Sequence, residues 1–419
     1  MGNGLFIEEY VPFTVYDWLD AHFGRVGSSV GSKLRWDDDI TDRLSHRHTC
    51  IILLVFTVFL YSNQYLGERI ECWPPADFED WHADYVKEIC WVSNTYYIPF
   101  GERIPRNEEA RKERQIRYYQ WSPLILLTMF FMFKIPRMIW KWLSARTLSL
   151  DHLMTTLSRC NFKKREDREK QVDDIVDYLD DYMRTTTPFH RNCCYSIRMT
   201  LSRYMCVVCG RRYGNFFLTA ALITKCLYFV NVIGIFFVLN SFLSAEFSVF
   251  GIDALKGLVT ANPQQIRTSL RFPSITLCDM KFRQLSNVQT TTVQCVLPLN
   301  IYNEKIFIFL WFWFLVVAAF TGIGLVRCMY NFFLKPRKVF LIKKHLKLHG
   351  EYPPKQGKSA MKVLIKKFHM EFLKYDGIFV LELAVKNSSD VLVGDIIVKL
   401  WKRFYERESH EVKGNGEIH

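Results

Sequence analysis

The chain has 419 residues, of which 49% are hydrophobic and 16% aromatic, and a net charge of +13. That apolar share is ordinary, so the average excludes neither a soluble nor a membrane protein, and the distribution along the chain decides. The basic excess gathers after the last apolar run, where anionic lipid accounts for it without any nucleic acid.

Residues 1–49 are amphipathic and slightly acidic. Phe13, Tyr16, Leu19 and Phe23 recur at helical spacing before the glycines between 24 and 31. Such a helix lies on the membrane surface or enters a pore as a plug or funnel; in the second case Tyr16, Asp17 and Asp20 are pore candidates. Asp39, Thr41 and Asp42 then offer N-caps for the helix that follows. The first apolar run begins near residue 50 without a small-residue cleavage site after it, so no secretory leader is expected.

Four nearly charge-free runs, 50–66, 118–142, 216–243 and 306–328, are long enough for membrane helices, which need about 20 apolar residues. Lys and Arg number 5 before the first run, 16 between Lys134 and Gly214 and 19 from Arg327 onward, against 8 and 6 in the two remaining loops. This bias places both termini and the segment 143–214 in the cytoplasm, and the loops 67–117 and 244–305 outside. Arg111, Lys112, Arg114 and Arg117 run against it, with Glu108, Glu109 and Glu113 as the expected neutralising partners.

The first span ends in Ser62, Asn63 and Gln64, three polar side chains that point in three directions and are pore candidates or interfacial groups. In the loop after it, Phe78, Trp81, Tyr85 and Ile89 predict an amphipathic helix between Cys72 and Cys90. An intact helix holds those cysteines on the order of 20 Å apart, too far for a mutual bond. Cys72 and Cys295 are close in sequence to a span, whereas Cys90 and Cys278 are far from one, so matching depth predicts bonds 72–295 and 90–278. The alternation from Phe272 to Cys278 predicts a strand.

Tyr118, Tyr119, Gln120, Trp121 and Pro123 open the second span, with aromatic rings at headgroup level and the proline in the first turn. Pro136 is expected to kink or end that helix. Val172, Ile175, Val176, Leu179 and Met183 predict a helix in the middle segment. Cys193, Cys194, Cys206 and Cys209 nearby read as buried, reduced thiols, because adjacent cysteines are poor zinc ligands; no metal or cofactor site is expected. Lys225 is an intramembrane charge, functional by default unless it snorkels to the cytoplasmic edge. After the fourth span, Met361 to Tyr375 and Val391 to Tyr405 predict a small helical region within 329–419. The fold class is therefore an all-α membrane protein with four transmembrane helices, a cytoplasmic helical domain and a small disulfide-stapled α/β cap.

In order along the chain, Asp42-Arg43-Leu44, Cys72-Trp73, Cys90, Tyr118-Tyr119-Gln120-Trp121 with Pro123, Cys209-Gly210-Arg211-Arg212, Lys225 with Leu227-Tyr228, Asn231-Val232, Phe272-Pro273, Cys278-Asp279 and the run from Gln294 to Phe314 resemble the innexins, invertebrate gap-junction proteins. The sequence departs from that pattern at Ser122 and Ile235. The resemblance implies a ring of same or related subunits, an octamer, around a pore, docked in cell-cell junctions of the plasma membrane onto an apposed ring; the basic residues after the fourth span add membrane lipids as further partners. Two other functions compete: an unpaired hemichannel releasing small solutes, and a non-conducting four-span adhesion or scaffold protein. No phosphate-binding glycine loop or nucleophile-base motif points to an enzyme.

Overall fold

The computed structural model describes residues 39–75, 78–160, 164–185, 214–243, 251–252, 256, 272–333, 335–351 and 358–416. Four long apolar helices form its centre. In the first, α1, Ile40–Arg43 leads through a π-helical turn at Leu44–His48 into Thr49–Leu66. The π turn spans five residues per hydrogen bond. Thr49 Oγ1 donates to the Leu44 carbonyl at 2.9 Å, and Trp313 Nε1 donates to Thr49 Oγ1 at 2.9 Å.

Five short elements follow: β1 (Glu71–Trp73), α2 (Asp80–Ser93), β2 (Thr95–Tyr96), α3 (Glu108–Glu113) and β3 (Gln115–Ile116). The second long helix, α4, is Ser122–Leu148, and the third, α7, is Phe216–Phe242, with α5 (Leu150–Cys160) and α6 (Arg165–Thr185) between them. The hairpin β4 (Ile275–Gln284) and β5 (Asn287–Val296) leads into the fourth long helix, α8 (Pro298–Phe333).

Pro136 does not end the helix, because α4 continues through it to Leu148. Proline cannot donate to the carbonyl four residues back, here that of Met132. Asn231 of α7 supplies the missing donor: its side-chain amide reaches the Met132 carbonyl at 3.2 Å. Asn231→Leu should leave that carbonyl unpaired between apolar helices and cost about 1–3 kcal/mol. A lowered thermal midpoint of the purified protein in detergent checks it.

Beyond the end of α8 the chain forms α9 (Lys335–Leu348), α10 (Lys358–Lys367) with a π-helical extension Phe368–Leu373, α11 (Lys374–Asn387) and α12 (Asp390–Gly416). These helices share one core with α5, α6 and the start of α7. The periodic residues Val172, Ile175, Val176, Leu179 and Met183 are all buried in it. Along the α6–α12 seam, Asp173 pairs with Lys399 at 2.6 Å, Asp177 with Arg403 at 2.5 Å, and Asp180 with Arg407. The first two pairs are exposed and stabilise little individually, while Asp180 is buried. Their regular spacing instead fixes the register of one helix on the other.

This helical domain also caps the third span. Asn215, just before α7, makes no side-chain cap. Asp376 of α11 does so from across the sequence, accepting from the Phe216 and Phe217 amides at 2.9 and 2.8 Å. Burial pushes its carboxyl up to about 6, against the amide donors and the nearby Lys374 charge. A carboxyl raised in the folded state stabilises below its unfolded value of 3.8, and that contribution is lost as pH rises through about 6. The interval corresponds to about 3 kcal/mol. The thermal midpoint should therefore fall between about pH 4 and pH 6 more steeply in wild type than in Asp376→Asn, read from paired unfolding curves.

Candidate channel and docking site

At the end of the bundle opposite the helical domain, the two loops become one cap. Its sheet has the order β1-β5-β4-β2-β3, antiparallel throughout, so β1 from the first loop flanks the hairpin of the second and β2 flanks its other side. The Cys72–Cys295 disulfide lies inside this sheet, where the two residues are direct cross-strand partners on β1 and β5. The Cys90–Cys278 disulfide ties α2 down onto β4. The depth-matched pairing is thus the one the structure contains. The Sγ atoms of Cys72, Cys90 and Cys295 lie within 4.8 Å of one another, but sulfurs joined in disulfides lack the thiolate a metal ion would need.

The predicted helix between the cysteines exists as α2, yet its buried face differs from the expected one. Val86 and Cys90 are buried, whereas Trp81 and Tyr85 are exposed at 64% and 54%. Helical spacing alone reports a stripe and says nothing of whether it faces inward, and here the second cysteine chooses the face. Trp73 is also exposed, at the outer rim.

The residues opening the second span bind the cap to the membrane helices. Tyr119 Oη donates to the Trp91 carbonyl at 3.4 Å, and the Gln120 amide reaches both that carbonyl and Asn94 Oδ1. The C-terminal end of α2 is thereby held. Tyr118 packs edge-on against Phe272 at 5.2 Å, and Asn300, at the start of α8, donates to the Pro273 carbonyl at 2.9 Å. Trp121 is exposed and Pro123 lies buried in the first turn of α4. At the departures from the family pattern, the Ser122 hydroxyl donates to the Tyr118 carbonyl at 3.1 Å and Ile235 is fully buried.

The basic residues ahead of the second span have specific partners. Arg111 Nε pairs with Asp279 at 3.1 Å, Lys112 with Glu108 at 3.3 Å and Arg114 with Glu102 at 2.6 Å. Asp279 and Glu102 replace Glu109 and Glu113 in the expected set, because the sheet brings distant acids to the cluster. Tyr96 Oη and Thr292 Oγ1 also donate to Asp279, at 2.8 and 2.7 Å.

Lys225 reaches the start of α1 and is paired there. Its ammonium is buried at the start of α1, 2.8 Å from Asp39 and 2.7 Å from Asp42, with Thr41 Oγ1 at 3.3 Å. Gly324 of α8 makes room for this turn, since a Cβ there would lie 2.7 Å from Thr41 Oγ1. Of the polar residues at the other end of α1, Gln64 is buried in the subunit, its amide 3.4 Å from the Gln120 carbonyl. It therefore packs between helices rather than facing a pore. Ser62 and Asn63 are half-buried, and Asn63 donates to the Phe59 carbonyl of its own helix at 2.9 Å. Tyr16, Asp17 and Asp20, and the four middle-segment cysteines, lie outside the described residues.

In each of the four spans only 33–39% of the residues of the most apolar window are buried within the subunit. Four such helices under a disulfide-joined cap define a multi-pass membrane protein. A family model described as Innexin matches residues 38–404. The chain is similar to Innexin-19 of Caenorhabditis briggsae, with 33% identity covering 92% of this chain and 90% of that one. It is likewise similar to Innexin unc-9 of Caenorhabditis elegans, with 31% identity over 89% and 93%, and to Innexin-3 of the same species, with 30% over 96% and 89%. The chain belongs to the innexin family, and it is a gap-junction channel subunit of the plasma membrane.

Proposed function

We propose that eight copies form a ring whose caps meet those of a ring in the neighbouring cell, enclosing a continuous path for ions and small solutes. In this reading the cap lies outside the cell, the helical domain lies in the cytoplasm, and Ser62 and Asn63 border the path together with Tyr16, Asp17 and Asp20. The basic residues after α8 lie against anionic lipid of the inner leaflet.

One observation carries the docking part. Leu285, at the two-residue tip between β4 and β5, is 99% exposed and holds φ at 56°. Such a turn favours Asn or Gly, and a large apolar side chain in left-handed backbone is strained as well as solvated. Strain at an exposed tip points to a surface that is covered when the protein works.

Leu285→Asn removes both costs, so it should leave the cap at least as stable while lowering junctional conductance between paired cells at least tenfold. Unpaired channels in single cells should still pass current. Unchanged coupling would remove Leu285 from the docking face. Dye that leaks from single cells but never crosses between paired ones would instead favour an unpaired hemichannel. Absence of any conductance from reconstituted protein would favour an adhesion role.

A further inference from the structure

The sheet of the cap leaves one long edge open. β1 pairs with β5 only at Gln294, Cys295 and Val296, and the residues that follow β1, Pro74 and Pro75, have no amide hydrogens to extend the ladder. On the side away from β4, no other strand among the described residues lies beside β5 from Asn287 to Val293.

Alternation decides which backbone groups are left over. The hairpin closes through a two-residue loop, so the closing pair Gln284 and Asn287 exchanges hydrogen bonds inside it. Counting in twos from there, Gln289 and Thr291 also bond to β4, whereas Val288, Thr290 and Thr292 turn N–H and C=O outward. The 4.0 Å between the Cα atoms of Cys72 and Cys295 agrees, being the close spacing of a non-hydrogen-bonded pair on the β1 side. At the tip the Val288 amide donates to the Asn287 side chain at 3.1 Å. The backbones of Thr290 and Thr292 have no such local partner.

Exposed edges are normally guarded by charge or proline, because they recruit other strands. The opposite edge of this hairpin is guarded in that way. β4 carries Lys281, which pairs with Glu108 of α3 at 2.8 Å, and Asp279, which pairs with Arg111 at 3.1 Å. From Asn287 to Gln294, β5 has neither a charge nor a proline, and Asn287 to Thr290 are all exposed.

We propose that the β5 edge pairs antiparallel, across a twofold axis, with the β5 edge of a second copy of this chain in the apposed ring. The pairing rests on the docked rings described under Proposed function and names the backbone contact within them. The charge pattern selects this occupant. In a twofold contact each side chain lies near its own copy, so any charge would oppose its like. The uncharged β5 stretch avoids that conflict, whereas β4 against itself would bring Lys281 and Arg283 towards their copies. Position agrees as well. A strand of ten residues extends about 30 Å, so the edge runs from the first turn of α8 out to the Leu285 tip. Strand addition of this kind draws on main-chain hydrogen bonds, and side chains only tune it.

The test uses full-length protein in paired and in single cells. Thr290→Pro removes an outward N–H that β4 does not use, a place where an edge strand tolerates proline. It should lower junctional conductance about tenfold or more, with unpaired current and surface labelling retained. Thr290→Val keeps the N–H and should couple like wild type. Val288→Cys, Gln289→Cys, Thr290→Cys, Thr291→Cys and Thr292→Cys, each oxidised with copper phenanthroline, form a series that does not depend on how proline is tolerated. Only the residue at the axis, or its immediate neighbours, should give a reducible dimer, and only in membranes from paired cells. Normal coupling in Thr290→Pro, uncoupling by Thr290→Val to the same degree, dimers in single cells, or no dimer at any position would overturn the pairing. Leu285→Asn that uncouples while Thr290→Pro does not would keep docking at the tip and reject only the strand contact.

Discussion

Lys225→Met should destabilise the protein by about 3–5 kcal/mol, the usual cost of removing one partner from a buried ion pair. Asp42 shows only 13% of its side chain to solvent and would be left charged against apolar helices, with Asp39, at 48%, better able to reach water. The defect belongs to the carboxylates that lose their lysine rather than to the lost lysine itself. Adding Asp39→Asn and Asp42→Asn to Lys225→Met should therefore recover much of the stability. Thermal unfolding in detergent and the yield of folded protein at the cell surface measure both variants, and a triple variant no better than the single one would contradict this account.

Cys90→Ser should stop junctional coupling while leaving delivery to the surface partly intact. The bond closes a separation of 188 residues and is the covalent link between α2 and the sheet. Loss of a native disulfide from a small stapled unit costs about 2–5 kcal/mol. Trp91 and Asn94, which the second span grips through Tyr119 and Gln120, would move with the freed helix. Cys72→Ser should be milder, since the strands that Cys72–Cys295 joins are already hydrogen-bonded to each other. Paired-cell conductance alongside surface labelling separates docking from trafficking, and normal coupling in Cys90→Ser would count against a rigid cap.

The parts legible in the sequence are those set by apolar length and by helical period. The four spans, the α2 helix and the α6 stripe from Val172 to Met183 belong here. What the sequence hid depends on partners far along the chain. Lys225 reads as a lone charge because Asp39 is 186 residues away, and Pro136 reads as a break because Asn231 sits on another helix. The union of the middle segment with the tail was equally hidden, although the acids Asp173, Asp177 and Asp180 and the bases Lys399, Arg403 and Arg407 share nearly the same spacing. Matched periods of opposite charge were the available signal. Trp81 and Tyr85 show the converse, a true period whose inward direction needed the Cys90–Cys278 bond to set it.

The cap that Asp376 places on the third span has a consequence for how the chain is made. Phe216 enters the bilayer long before Asp376, 160 positions later, leaves the ribosome. At about 5–20 residues per second, those amides wait roughly 10–30 s for their acceptor. A premature stop codon upstream of residue 376 would make that delay permanent, so nascent chains cut there should be inserted yet remain marked for degradation.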